Sequence, residues 1–300
     1  MKIVGYVDFY GTEIENQIQT AKKIDLNHII LRKYNNKNLY ELTNEDIKQL
    51  NKTIKEEKIN IVALDPEINS YDLYNIDSYE EILTNYQKVI DLANQIKVND
   101  IFYRLPKIVD IINEFETFEN QLVPLLDILK RNNKRFLIIQ TEEKTGVLAY
   151  IMNKYYSKNF SLVFNPKQIV LNNESVTTSY RLLKRYFSYF VANDMDSKNN
   201  PELLGYGRVN ILDVFKRMIR DKYDGTIILD IDFANFLLNY EEKKVSFIKK
   251  LFGFKEKNIL KKYIEGYSLR IFPHDDTKIA DIYDIYESQI KAIKVIFNLR

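Results

Sequence analysis

The chain has 300 residues, 45% of them apolar and 29% charged, which is enough for a sizeable core and excludes wholesale disorder. Its 44 basic side chains nearly cancel 42 acidic ones, leaving a formal charge of +2, so no bulk field draws it to nucleic acid or anionic lipid. With no cysteine and only His28 and His274, it cannot form disulfides, thiolate metal sites, thiol nucleophiles or a His-rich metal centre.

The amino terminus, MKIVGYVDFYGTEIE, stays apolar for only a few residues before Asp8 and Glu13. That is too short for a signal-peptide core and reads as a first strand. No later window approaches the roughly 18 apolar residues of a membrane span, so a soluble cytoplasmic protein is expected. Seven further strand candidates follow: HIILRK from His28, INIVALD from Ile59, DIFYRL from Asp100, RFLIIQT from Arg135, SLVFN from Ser161, YFVAND from Tyr189 and TIILDID from Thr226. Between them lie stretches with apolar residues three and four apart, such as Ile82, Tyr86, Val89, Ile90 and Ala93. Helix starts are signalled by Thr43-Asn44, by Asp77-Ser78 ahead of two glutamates, and by Asn210.

Continuously apolar strands suit a parallel sheet buried on both faces. Eight βα units over about 250 residues specify a (β/α)8 TIM barrel of the α/β class. A doubly wound sheet with a dinucleotide site is disfavoured, because the turn after the first strand lacks a G-x-G-x-x-G. Residues 1–252 are assigned to the barrel and 253–300 to a C-terminal α/β extension, packed on the barrel or on a second subunit in a homodimer. Within it, GYSLRIF from Gly266 reads as an extra strand. The last segment reads as an amphipathic helix, capped by Asp275 or Asp276, with a stripe running from Ile279 to Phe297.

In this fold the working groups sit at the carboxyl ends of strands. Those positions hold Asp8, Arg32, Asp65, Glu67, Arg104, Gln140, Glu142, Asn165, Gln168, Asn193, Asp194, Asp230 and Asp232. Arginine forks onto phosphate, and carboxylates and amides bind hydroxyls, so the ring suits a small carbohydrate or sugar phosphate. The competing explanation is that strands end in polar residues because they end at water. The Gly205–Gly207 turn could close over a ligand, adding Tyr206 and Arg208 to the candidate contacts. His28 opens a strand at the opposite face, and no Ser or Thr has a histidine partner at a strand end, which argues against an acyl-transfer triad.

The stretch ANDMDSKNNPELLGYGRVNILDVFKRMIRDKYDGTIILDI, Ala192 to Ile231, resembles the xylose-isomerase-like barrel superfamily, which includes sugar and sugar-phosphate isomerases and epimerases and apurinic endonucleases. It is similar to that family's His-x-Lys-Asp strand end, Leu-Gly-Glu-Gly loop, helix, and strand ending in Glu. The resemblance places the family's metal-binding Glu of strand five on Gln140. It places the Asp and His after strand six on Asn165 and Gln168, the strand-seven His near Val191, and the strand-eight Glu on Asp230. The Lys-Asp pair falls on Asn193-Asp194 and the loop Glu on Tyr206. Neutral amides thus replace most of the charged ligands, so no metal cofactor is expected, and Mg2+ or Mn2+ would be held only weakly. The resemblance implies an isomerase or epimerase moving a proton alpha to a carbonyl. Glu142, Asp230 and Asp194 are its candidate acid and base, and Arg32 or Arg104 its charge stabiliser. Arg32, Asp65, Arg104, Gln140, Asn165, Gln168, Asn193, Tyr206 and Arg208 are the candidate substrate contacts. The alternative is a pseudoenzyme that binds a sugar-like ligand or a protein partner.

Overall fold

In a computed structural model describing residues 1–242 and 253–299, all eight predicted strands form and close one parallel barrel. They are β1 (Lys2–Gly5), β2 (His28–Leu31), β3 (Asn60–Leu64), β4 (Asp100–Tyr103), β5 (Arg135–Ile139), β6 (Phe160–Phe164), β7 (Phe187–Ala192) and β8 (Thr226–Leu229). Each pairs with its neighbours in sequence, and β8 closes on β1 with Lys2 opposite Thr226 and Gly5 opposite Leu229. The helices are α1 (Ile14–Lys23), α2 (Asn44–Glu57), α3 (Ile76–Gln95), α4 (Ile111–Arg131), α5 (Thr145–Tyr155), α6 (Pro166–Leu171), α7 (Val176–Leu183), α8 (Ile211–Arg220), α9 (Asp232–Glu242), α10 (Gly253–Ile271) and α11 (Ile282–Ile296).

Because side chains alternate along a strand, each strand feeds two separate cores. One lies between strands and helices. The smaller one fills the barrel with Val4, Ile30, Ala63, Phe102, Leu137, Val163, Tyr189, Val191 and Ile228. Both faces are buried, which is why these strands read as unbroken apolar runs.

The helix signals are met with shifts. Thr43 caps α2 in a capping box with Asp46, whereas α3 starts earlier than Asp77-Ser78, with Asn75 accepting from the Ser78 amide. Asn210 precedes α8 in the left-handed region, φ 60°, and makes no side-chain cap. The last helix is capped by Asp281 in a box with Asp284; Asp275 instead holds a turn by accepting from Thr277.

The segment read as an extra strand is the end of α10. Its residues look strand-like, yet Tyr263 and Tyr267 stand one helical turn apart and pack against Phe236 and Phe233 of α9, so tertiary packing overrides the local propensity. The barrel boundary at 252 falls in residues 243–252, outside the described residues. Helix α11 lies on the barrel: Tyr286 stacks on Phe9 with ring centroids 5.1 Å apart, Phe297 meets Phe215, and Gln289 accepts from the Leu204 amide. Ile279, expected in its buried stripe, is exposed because it precedes the helix. Among the described residues no helix is long and apolar enough to cross a membrane.

Candidate active site at the barrel mouth

The period of two predicts which strand-end residues face inward. Two positions beyond the interior residues Val4, Ile30, Ala63, Phe102, Val163, Val191 and Ile228 come Tyr6, Arg32, Asp65, Arg104, Asn165, Asn193 and Asp230. These seven crown the apolar interior.

They form three connected groups. Arg104 forks onto Asp65 with N–O distances of 2.8 and 3.2 Å, and the Tyr6 hydroxyl donates to the same carboxylate at 3.0 Å. Arg32 forks onto Asp8 at 2.6 and 3.0 Å, approaches Glu67 at 3.5 Å, and lies over the Tyr6 ring. Across the mouth, Asn193 donates to Asp230 at 2.8 Å and to Asn165 at 3.2 Å, while Lys167 of α6 pairs with Asp232. Asn193 Oδ1 is buried with no hydrogen-bond partner among the described residues. Burial, reinforced by the neighbouring Asp232 carboxylate, pushes Asp230 well above the ordinary carboxylate range. A cavity of about 10 Å3, room for one water, lies beside it between Asn193, Asp232, Phe233 and Tyr286.

Other predicted site residues lie elsewhere. Asp194 has the opposite parity to Asn193 and turns out of the barrel. Its carboxylate accepts from the backbone N–H groups of Met195, Gly205, Gly207 and Val209 at 2.9–3.1 Å, so it organises the loop rather than facing the mouth. The Gly205–Gly207 turn is thereby pinned: a Cβ on Gly207 would fall 2.2 Å from Asp194 Oδ1. Glu142 is exposed, and its neighbour Glu143 folds inward instead, accepting from the Thr141 amide and hydroxyl; burial raises the Glu143 carboxyl above its ordinary range. Gln140 is buried but donates to the Glu143 carbonyl, and Gln168 donates to Asn172 along α6. Tyr206 is exposed beneath the Arg270 guanidinium, and Arg208 is exposed and bonded to Asn199, so both belong to the outer loop.

The sequence reading passed over Tyr6, Lys167 and Tyr286. Alternation beyond Val4 would have found Tyr6. Tyr286 donates to the Asp230 carbonyl at 2.8 Å, a contact made from α11 that no local pattern announces.

The residues on which the sequence resemblance places the family's metal ligands make hydrogen bonds that do not suit a divalent ion. The Asn165 side-chain carbonyl accepts from Asn193 and the Gln168 amide, Asp230 accepts from Asn193 and the Asp232 amide, and the Gln140 amide group donates to the Glu143 carbonyl. Asp230 is the one carboxyl of the set, and its burial favours the neutral form. Among the described residues no group of three or more His, Cys, Asp or Glu is placed to hold a metal.

Comparison with known proteins agrees with this architecture. No curated protein matches the sequence. Among solved structures, a D-psicose 3-epimerase studied in the presence of D-fructose superposes with a TM-score of 0.68 at 12% identity, covering 99% of both chains. A xylose isomerase domain protein from Planctomyces limnophilus gives 0.63 at 11% identity, covering 83% of this chain and 96% of its own. A xylose isomerase-like TIM barrel protein from Mycobacterium smegmatis in complex with magnesium gives 0.61 at 13%, covering 76% and 89%. At these identities the likeness is one of fold. The xylose isomerase-like TIM barrel family profile matches residues 18–250, most of the barrel, and the chain belongs to that family.

Proposed function

We propose that the barrel mouth binds a small carbohydrate and that the protein acts on it as an isomerase or epimerase without a tightly held metal. The observation that carries this reading is Asp230, a carboxyl at the end of β8 that burial favours in its protonated form, at the same strand-end ring as the salt-bridged Asp65 and Asp8. Proton transfer alpha to a carbonyl needs one group that holds a proton and one that is charged. Asp230 gives its proton to the carbonyl oxygen as negative charge develops there. Asp65 is saturated by Arg104, Tyr6 and the Glu67 amide, so the carbon-bound proton goes to Asp8, whose carboxylate accepts from Arg32 and keeps lone pairs to spare. The guanidinium groups of Arg104 and Arg32 stabilise the negative charge that develops on the carbonyl oxygen before the proton arrives, and return of the proton to carbon with the hydroxyl proton going back to Asp230 completes the reaction. Glu142 and Asp194 have no part in this scheme, one facing solvent and the other committed to its loop.

The test is proton NMR of free ketoses and aldoses in D2O with the protein. Deuterium entering the carbon next to the carbonyl, and its loss in Asp230→Asn with sugar binding retained, supports the scheme. A second reading, a binding protein without turnover, is favoured by the mutual neutralisation of the mouth charges. Saturable sugar binding with no exchange would select it.

A further inference from the structure

Asn193 spends the amide end of its side chain on the strand-end ring: Nδ2 donates to Asp230 at 2.8 Å and to Asn165 at 3.2 Å. Those two bonds fix which way the carboxamide points, because the flipped group would set its oxygen against two acceptor oxygens. The other end, Oδ1, belongs to a residue only 6% exposed and meets no donor among the described residues. Beside it is the cavity of about 10 Å3. Ala192 and Leu229, which alternate with Asn193 and Asp230 and so point out of the barrel, form one wall; Phe233 of α9 and Tyr286 and Gln289 of α11 form the other. The cavity therefore lies between the strand ends and the helices that cover them. Gln289 is buried there with its Oε1 accepting from the Leu204 amide at 2.9 Å. Its Nε2 donates among the described residues only to the Ser288 hydroxyl at 3.2 Å, which leaves it a second N–H to give.

We infer that this cavity is a binding site for a single internal water, which donates to Asn193 Oδ1 and joins it to the Gln289 amide of α11. The volume is about the least that admits a water, and it admits nothing larger. Cavities that stay dry are lined by apolar atoms, whereas this one borders a buried carbonyl oxygen that is costly to leave unmet. A buried water needs two to four polar partners, and Asn193 Oδ1, the Gln289 Nε2–H and the Asp230 carboxyl supply them. The water steadies from behind the same carboxamide whose amide end holds Asp230. Helix α11 then supports the β8 carboxyl twice, through the Tyr286 hydrogen bond to its backbone carbonyl and through the water to Asn193. The inference does not depend on the carbohydrate reading, since the water belongs to the free protein whatever the mouth binds.

The experiment is a high-resolution crystal structure of the full chain without ligand, paired with oxygen-17 relaxation dispersion in solution, which counts long-lived internal waters. Both are repeated on Ala192→Val, whose added methyl groups take up the cavity. The expected result is one fully occupied water within hydrogen-bond distance of Asn193 Oδ1 in the parent. In Ala192→Val that water is absent, the solution count falls by one, and the Asn193 hydrogen bond to Asp230 lengthens or breaks. A dry cavity in the parent, or an Asn193 Oδ1 bonded to a protein donor instead, would overturn the inference. Loss of the water from Ala192→Val with Asn193 and Asp230 unmoved would overturn the supporting role given to it. Should Ala192→Val fold poorly, the structure and the water count of the parent decide the matter alone. Neither result bears on whether a sugar binds, so failure here and failure of the proposed function are read separately.

Discussion

The two ends of the barrel interior carry the same three-residue device. At the amino-terminal end Arg135 forks onto Asp100 at 2.7 and 2.8 Å and Tyr189 donates to that carboxylate at 2.7 Å; at the mouth Arg104, Asp65 and Tyr6 repeat the pattern. Below, the device is complete: the ion pair and hydroxyl close the floor, and the nearby Ser161 and Ser188 hydroxyls satisfy each other. Above, the triad stands beside a buried Asn193 carbonyl with no partner among the described residues and a carboxyl at Asp230 that burial drives toward its neutral form. A salt bridge inside a barrel therefore says little about function. What marks the mouth is the polar capacity left over once the ion pairs are made.

The largest effect expected from breaking this comparison is at the floor. Arg135→Ala leaves the Asp100 carboxylate poorly solvated and should cost about 3 kcal/mol in denaturant unfolding, with sugar binding unchanged. Loss of binding at matched stability would show that the floor is not merely structural.

A smaller and differently signed effect is expected at Asp230. Its folded pKa is raised, so between the unfolded carboxyl value and that raised value the native state holds more protons than the unfolded chain, and stability falls as pH rises through this window. Asp230→Asn should flatten that slope and be more stable than the parent at neutral pH. Parallel pH–stability curves would contradict the assignment.

Smaller again is Tyr286→Phe, which removes one hydrogen bond to the Asp230 carbonyl and should cost about 1 kcal/mol. It should also weaken sugar binding, which would make α11 part of the site. Unchanged binding would leave α11 as covering alone. The smallest effect expected is none: dialysis against EDTA should leave the melting temperature where it was, and a large drop would restore a metal to the mouth.

How much of this was legible in the sequence follows from the range of the interactions. All eight strands were visible because burial on both faces writes itself as apolar runs. The inward set of Arg32, Asp65, Arg104, Asn193 and Asp230 was visible at strand ends. Applying the period of two rigorously would also have set Asp194 apart from Asn193 and brought in Tyr6. The swap of Glu142 for Glu143 depends on a loop hydrogen bond to Thr141, and the Asp194 nest on four amides brought together over fifteen residues, neither of which has a local signature. The misread strand in α10 and the contact from Tyr286 are set by packing against α9 and the barrel, which the local pattern does not encode.

The most direct test of the central claim is a pH titration of the Asp230 carboxyl by carbon-13 NMR, assigned through Asp230→Asn and repeated with saturating D-fructose. The account predicts a carboxyl that keeps its proton well above the ordinary carboxylate range and whose signal moves when the sugar binds. Titration in the ordinary range, with no response to sugar, would contradict it.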